Sequence, residues 1–162
     1  MESLSFSTAD KAARYRELEP ALGALFEGEP DLIANLANAT AALKECIGPA
    51  SWVGFYLLRD GELVLGPFQG KVACVRIALG RGVCGAAATR RQTVVVPDVE
   101  AFPGHIACDA GSRSEIVVPL LQGDRLLGVL DVDSYDLAAF DEIDAAALER
   151  VAGIIAALTW PA

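Results

Sequence analysis

Two short apolar runs, SWVGFYLL (51–58) and ELVLGPF (62–68), flank the dipeptide Asp60-Gly61 and constrain this fold more than any other feature. Both are rich in aromatic and branched residues, which suit a pleated surface. Asp-Gly between such runs reads as a hairpin turn, because these residues accept the positive φ that tight hairpin turns demand. The paired strands must then be antiparallel. ACVRIAL (73–79) forms a third run, stopped by Gly80-Arg81-Gly82. TVVVPDV, SEIVVPLL and RLLGVLDVD read as three further strands, the last two joined by the turn Gln122-Gly123-Asp124.

Around these strands the period changes. A helical stretch opening at Ser7-Thr8-Ala9-Asp10 runs to about Phe26, where Gly28 and Pro30 break it. A second places Ile33, Leu36, Ala37, Thr40, Leu43 and Ile47 at helical spacing and stops at Gly48-Pro49. VCGAAATRR reads as a short helix, and Ile143, Leu148, Val151, Ile155 and Leu158 line one face of a closing one. The order is helix, helix, three strands, short helix, three strands, helix. The expected fold is α/β (α+β): one antiparallel six-stranded sheet flanked by helices. A single domain over 1–162 would comprise N-terminal helices 8–47, a sheet core 50–134 and a C-terminal helix 141–160.

Charge and cysteine usage narrow the function. With 22 acidic and 13 basic residues the net charge is -9, which argues against nucleic acid or an anionic membrane surface as partner. No apolar run approaches the ~20 residues of a membrane helix. The N-terminus is polar and mixed in charge, unlike a secretory signal, so a cytoplasmic location is expected. In that compartment Cys46, Cys74, Cys84 and Cys108 would be thiols at rest. No Cys-x-x-Cys pair occurs, which excludes a zinc ribbon and a thioredoxin motif.

Cys108 lies in AFPGHIACDAGSRSEIVVPLL, on a loop beside acids and close to His105, the lone histidine. A structural thiol, a metal ligand and a redox nucleophile all remain open for it on the residues alone. Cys74 sits in a strand-like run and reads as core filler. Cys84 follows Arg81 and Gly82 at a helix N-terminus, where a dipole and a cation lower a thiol pKa, which makes it the best candidate for an activated thiolate. Cys46 ends a helix and reads as packing. Zinc held by Cys74, Cys84, His105 and Cys108 lacks the paired spacing of structural sites, so no metal is expected. His105 reads as a loop hydrogen-bonding residue. Along RLLGVLDVD, alternation puts Leu127, Val129, Asp131 and Asp133 on one face. Trp52 and Tyr56, four apart, share a face of their own strand.

The motifs WVGFYLL, LGPFQGKVACVRIALGRGVCG, VVPDVEAFPGHIACDAGSRSEIVVPL and GVLDVDS together closely resemble the free methionine-R-sulfoxide reductases, single-GAF-domain enzymes that act on the free amino acid. The resemblance runs continuously from about Ala50 to the last helix, and Val72 and Ala78 are its departures. It implies a GAF-domain fold and reduction of free L-methionine (R)-S-oxide through a sulfenic acid and a disulfide, recycled by thioredoxin without a bound cofactor. It further implies that Cys108 is catalytic, that Cys74 resolves it as a disulfide partner, and that Cys84 assists nearby. The loop bearing Cys108 should then fold over the segment bearing Cys74. Glu115 and Asp133 would hold and polarise the sulfoxide oxygen, with Asp131 in the same polar network. Crowded carboxylates keep one of their number protonated, and an ionised one would bind the substrate ammonium. Trp52 and Tyr56 would wall a pocket for the methyl group. A homodimer is implied, with the apolar N-terminal helix as a natural interface. The competing classes are a non-catalytic GAF sensor of a small ligand and a thiol redox switch without a dedicated substrate.

Overall fold

Asp60 and Gly61 both take positive φ, 51° and 84°, and turn β1 (Ala50–Arg59) back onto β2 (Glu62–Gln69) as the dipeptide requires. The computed structural model describes residues 5–106 and 108–161; the outermost residues of the expected 1–162 domain, and Ala107, lie outside them. β3 (Arg76–Ala78), β4 (Val94–Val96), β5 (Ser114–Gln122) and β6 (Arg125–Ser134) complete one sheet in the order β3-β2-β1-β6-β5-β4. Every pairing is antiparallel, as expected. Both edge strands have only three residues, which leaves little open edge for another chain to pair with.

The helices divide between the two faces. On one face α1 (Lys11–Phe26), α2 (Leu32–Cys46) and α4 (Glu142–Ala156) bury a core that includes Leu18, Leu36, Leu43, Phe55, Leu130, Leu148 and Ile155. On the other, α3 (Gly82–Arg90) packs Val83, Ala87 and Ala88 against Tyr56, Val117 and Val129. Aspartates start the long helices. Asp10 and Asp31 accept from the N–H groups of Ala13 and Ala34, and Asp141 and Asp144 form a reciprocal capping box. The caps set the true limits: the first helix begins at Lys11 and the last ends at Ala156, inside the expected 8 and 160.

Several expectations require correction. Ile33, Ala37 and Ile143 face solvent, because the buried stripes turn instead through Leu36, Ala39 and Leu43 and through Leu148, Val151 and Ile155. TVVVPDV gives a strand only to Val96, since Pro97 has no N–H for the ladder; a 3₁₀ turn at Val99–Ala101 follows. The run ACVRIAL is a strand only at Arg76–Ala78, so Cys74 sits on the preceding loop. Leu127 does not share a face with Val129. The β5–β6 register shifts between Leu120 and Leu121, pairing Leu121 with Leu126, so Leu127 is bulged out and packs in the opposite core. The apolar stripe of α1, Tyr15, Leu18, Leu22 and Phe26, is buried within its own chain, so it is no open interface.

Gly85 fixes the seat of α3. A Cβ there would lie 2.5 Å from the Ala78 carbonyl oxygen and 3.0 Å from the Gly80 nitrogen, both backbone atoms that cannot rotate aside. Gly85→Ala should cost about 1–3 kcal/mol, as overpacking does. A lowered urea midpoint with unchanged slope is the expected reading.

Candidate active site

Antiparallel register builds the floor of a cavity under α3. Glu115 of β5 lies opposite Asp133 of β6, which lies opposite Trp52 of β1. Two residues along, on the same face, Val117, Asp131 and Gly54 make the next row. Gly54 is needed there: a Cβ would lie 2.3 Å from the Trp52 ring and 2.5 Å from Phe68. Its absence lets the Trp52 indole lie between Tyr56 and Phe68, with ring centroids 6.0 Å and 5.3 Å away.

The two aromatics also do something the sequence did not show. Trp52 Nε1 donates to the Lys71 carbonyl at 3.0 Å, and the Tyr56 hydroxyl donates to the Cys74 carbonyl at 3.0 Å. They thereby pin the loop that carries Cys74. A disulfide joins Cys74 to Cys108, with Cα atoms 5.5 Å apart, so the Cys108 loop folds over that segment. With both sulfurs so bonded, the four-ligand zinc set weighed from the sequence does not exist in this state.

A polar latch reinforces the same junction. Asp109 Oδ2 accepts from the Tyr135 hydroxyl at 2.7 Å and lies 3.3 Å from Lys71 Nζ, while Oδ1 accepts from Gly111 N at 3.0 Å. The Gly111 N–H and the Tyr135 hydroxyl hold the Asp109 carboxyl below the usual range. Lys71 also lies 5.0 Å from the Tyr135 ring centroid. Lys71 is on the Cys74 loop and Asp109 follows Cys108, so the latch presents one cysteine to the other. Exposed ion pairs add little stability. Asp109→Ala should therefore leave thermal unfolding nearly unchanged while slowing Cys74–Cys108 closure after peroxide treatment, read by quenched thiol labelling. Unchanged closure would remove the latch from the chemistry.

The cavity measures about 40 Å³. Trp52, Tyr56, Cys84, Cys108 and the acids Glu115, Asp131 and Asp133 all line it. Arg81 lines it too, preceding an α3 N-terminus that no side chain caps; nothing in GRGVCG had marked Arg81 as a pocket residue.

Burial governs the electrostatics. Desolvation first, and then repulsion from Asp133, pushes the Glu115 carboxyl well above its ordinary range. Asp131 is pushed up by burial and by Glu115, and Asp133 by burial and by Asp131. His105 Nε2 stands 3.6 Å from Glu115 Oε2, but burial lowers the imidazole. The imidazole lines the cavity beside that carboxyl.

Cys84 departs most from expectation. Its place near the start of α3 predicted a lowered thiol pKa, yet burial and the facing Asp131 and Glu115 push it well above the ordinary value. Its Sγ lies 4.0 Å from Glu115 Oε1, as a thiol donating to a carboxyl. Cys46 is buried in the opposite core with its pKa raised to about 11, as an inert packing thiol should be.

Comparison with known proteins places this geometry. The GAF domain family model matches residues 29–158. Free methionine-R-sulfoxide reductase of Escherichia coli is 49% identical over 142 residues, covering 88% of this chain and 86% of that one. The chain belongs to the free methionine-R-sulfoxide reductase family. Another member, free methionine-R-sulfoxide reductase of Neisseria meningitidis, solved in complex with its substrate, is 55% identical with a TM-score of 0.93, covering 96% of this chain and 94% of that chain. GAF domain-containing protein A of Dictyostelium discoideum is 54% identical over 151 residues, 93% of this chain and 95% of its own length. The GAF fold and its curled antiparallel sheet are those of the family. Among the described residues no helix is long and apolar enough to cross a membrane.

Proposed function

We propose that this chain reduces free L-methionine (R)-S-oxide to L-methionine, with Cys108 as the nucleophile. The observation that carries this reading is the Cys74–Cys108 bond set on a cavity floored by buried carboxylates. The Cys108 thiolate attacks the sulfoxide sulfur while Glu115 and Asp133 hold and polarise the oxygen. The oxygen takes a proton from the acid network and passes to the Cys108 sulfur; the S–O bond and the transient bond between Cys108 and the substrate sulfur both break, methionine is released, and Cys108 is left as a sulfenic acid. The Cys74 thiol then attacks the Cys108 sulfur, and the oxygen departs as water. Two thiols are oxidised and one sulfoxide is reduced, so electrons balance without a bound cofactor.

Each neighbouring group has a part. Asp131 shares the protons of the acid network and provides charge for the substrate ammonium. Arg81 and the uncapped end of α3 offer the positive side of the cavity to the carboxylate. Trp52 and Tyr56 enclose the methyl group, which makes the pocket selective for one epimer. Cys84, held as a thiol, orients Glu115 and does not initiate attack. The disulfide holds the Cys108 loop over the Cys74 segment at the edge of the cavity, and its reduction frees that loop to move as substrate enters.

A dithiol protein of the thioredoxin type restores the thiols. Val72 and Val75, 88% and 64% exposed on either side of Cys74, leave that side of the disulfide open to approach. Such recycling fits a cytoplasmic location. The homodimer implied by the family would use a face other than the buried stripe of α1; light scattering reads the subunit number.

Assays coupled to thioredoxin with free R, free S and peptide-bound sulfoxide test the proposal. Turnover of free R alone is expected. Disulfide formation under peroxide without turnover would mean a redox switch, and ligand binding with neither would mean a sensor.

A further inference from the structure

The chemistry proposed above consumes the Cys74–Cys108 pair but leaves a second cluster intact in the disulfide state. Cys84, Glu115 and Asp131 each bring one donor atom within 4.8 Å of the other two, and all three are buried. One is a sulfur and two are carboxylate oxygens, a mixed set unlike an ordinary acidic patch. Asp131 is 6% exposed, and its Oδ1 has no hydrogen-bond donor among the described residues. A buried carboxylate oxygen without a donor is costly.

We propose that Cys84, Glu115 and Asp131 bind a thiophilic divalent cation of the zinc class, with water completing a four-coordinate shell. Three protein ligands and an open fourth position are a stable arrangement for that ion. The sulfur donor disfavours magnesium and calcium, which take oxygen ligands in larger number. On binding, Cys84 loses its S–H proton, and either carboxyl loses any proton it holds, to solvent; one metal–sulfur and two metal–oxygen bonds form, and water leaves the ion. No electron is transferred. The bound ion gives the Asp131 carboxylate a partner and offsets most of the charge of its three ligands. It also occupies the oxygen-binding acids Glu115 and Asp131, so the loaded site is closed to sulfoxide.

Cobalt(II) titration of the oxidised protein tests this without substrate or turnover. The Cys74–Cys108 bond removes those two sulfurs as ligands, and Cys46 lies in the other core. The expected result is a near-ultraviolet thiolate-to-cobalt absorption that zinc displaces. Cys84→Ser should lose the band, Asp131→Asn should weaken binding, and Cys46→Ser should retain both. Absence of the band at millimolar cobalt, or its survival in Cys84→Ser, would overturn the proposal. Should Cys84→Ser fail to fold, unchanged cobalt affinity in Asp131→Asn overturns it equally. None of these outcomes depends on whether the chain reduces sulfoxide.

Discussion

Cys108→Ser should abolish turnover of free methionine (R)-sulfoxide, with a loss of at least about 10³-fold, as removal of a nucleophile gives elsewhere. Cys74→Ser should instead reduce one equivalent per subunit and then stall. The difference follows from which sulfur meets the substrate. Cys108 lines the cavity beside Glu115 and Asp133, whereas Cys74 sits outside it on a loop pinned by Trp52 and Tyr56. Without Cys74 the first step still proceeds, and the sulfenic acid has no partner. Cys84 is no adequate substitute, because burial and two acids hold its proton in place. A burst of one methionine per subunit, followed by near silence, distinguishes this from a symmetric role for the two cysteines. Multiple turnover by Cys74→Ser would make Cys84 the resolving thiol.

Glu115→Gln should cut kcat by about 10²–10⁴-fold, the usual worth of a positioned acid, while stabilising the protein at neutral and higher pH. An amide can donate a hydrogen bond to the sulfoxide oxygen but cannot release a proton. In the parent enzyme, activity should fall as pH rises through the raised pKa of the acid cluster, and the variant should lose most of that dependence. The stability effect has a definite sign. Glu115 titrates higher in the folded state than unfolded, so between those values the native protein holds the extra proton. Stability must then decline as pH climbs from the ordinary carboxylate range through the raised value. Removing the charge flattens that decline, leaving the share owed to Asp131 and Asp133. Melting temperatures of parent and variant should therefore diverge with rising pH. Parallel curves would show that Glu115 carries no raised pKa.

Local pattern made the architecture legible. Hairpin turns at Asp60-Gly61 and at Gly123, and runs of alternating residues, are properties of neighbours in sequence, and the six strands appear in their expected order. What escaped depends on distant parts of the chain. The bulge at Leu127, beside Gly128, moves a leucine from one core to the other; a glycine inside a strand pattern hints at a bulge but does not say which residue is displaced. Cys74 looked like strand because ACVRI alternates, yet the pairing of β3 with β2 covers only Arg76–Ala78.

The site divides in the same way. Resemblance to the family pointed to Glu115, Asp131 and Asp133, which line the cavity, and to the Cys74–Cys108 pair; the fourth lining acid, Asp109, was not foreseen. Cys84 shows the limit: its helix terminus and Arg81 were visible, but not that β5 and β6 would aim Glu115 and Asp131 at its sulfur. Nor was the latch of Lys71, Asp109 and Tyr135 visible, since its members are separated by 38 and 26 positions.

The most direct test of the account is one turnover without reductant. Fully reduced protein, mixed with one equivalent of free methionine (R)-sulfoxide and quenched, should yield one methionine per subunit. Peptide mass spectrometry of that sample should show Cys74 linked to Cys108, with Cys46 and Cys84 still free thiols. A methionine yield accompanied by a Cys84-linked disulfide, or no yield with all four thiols intact, would contradict it.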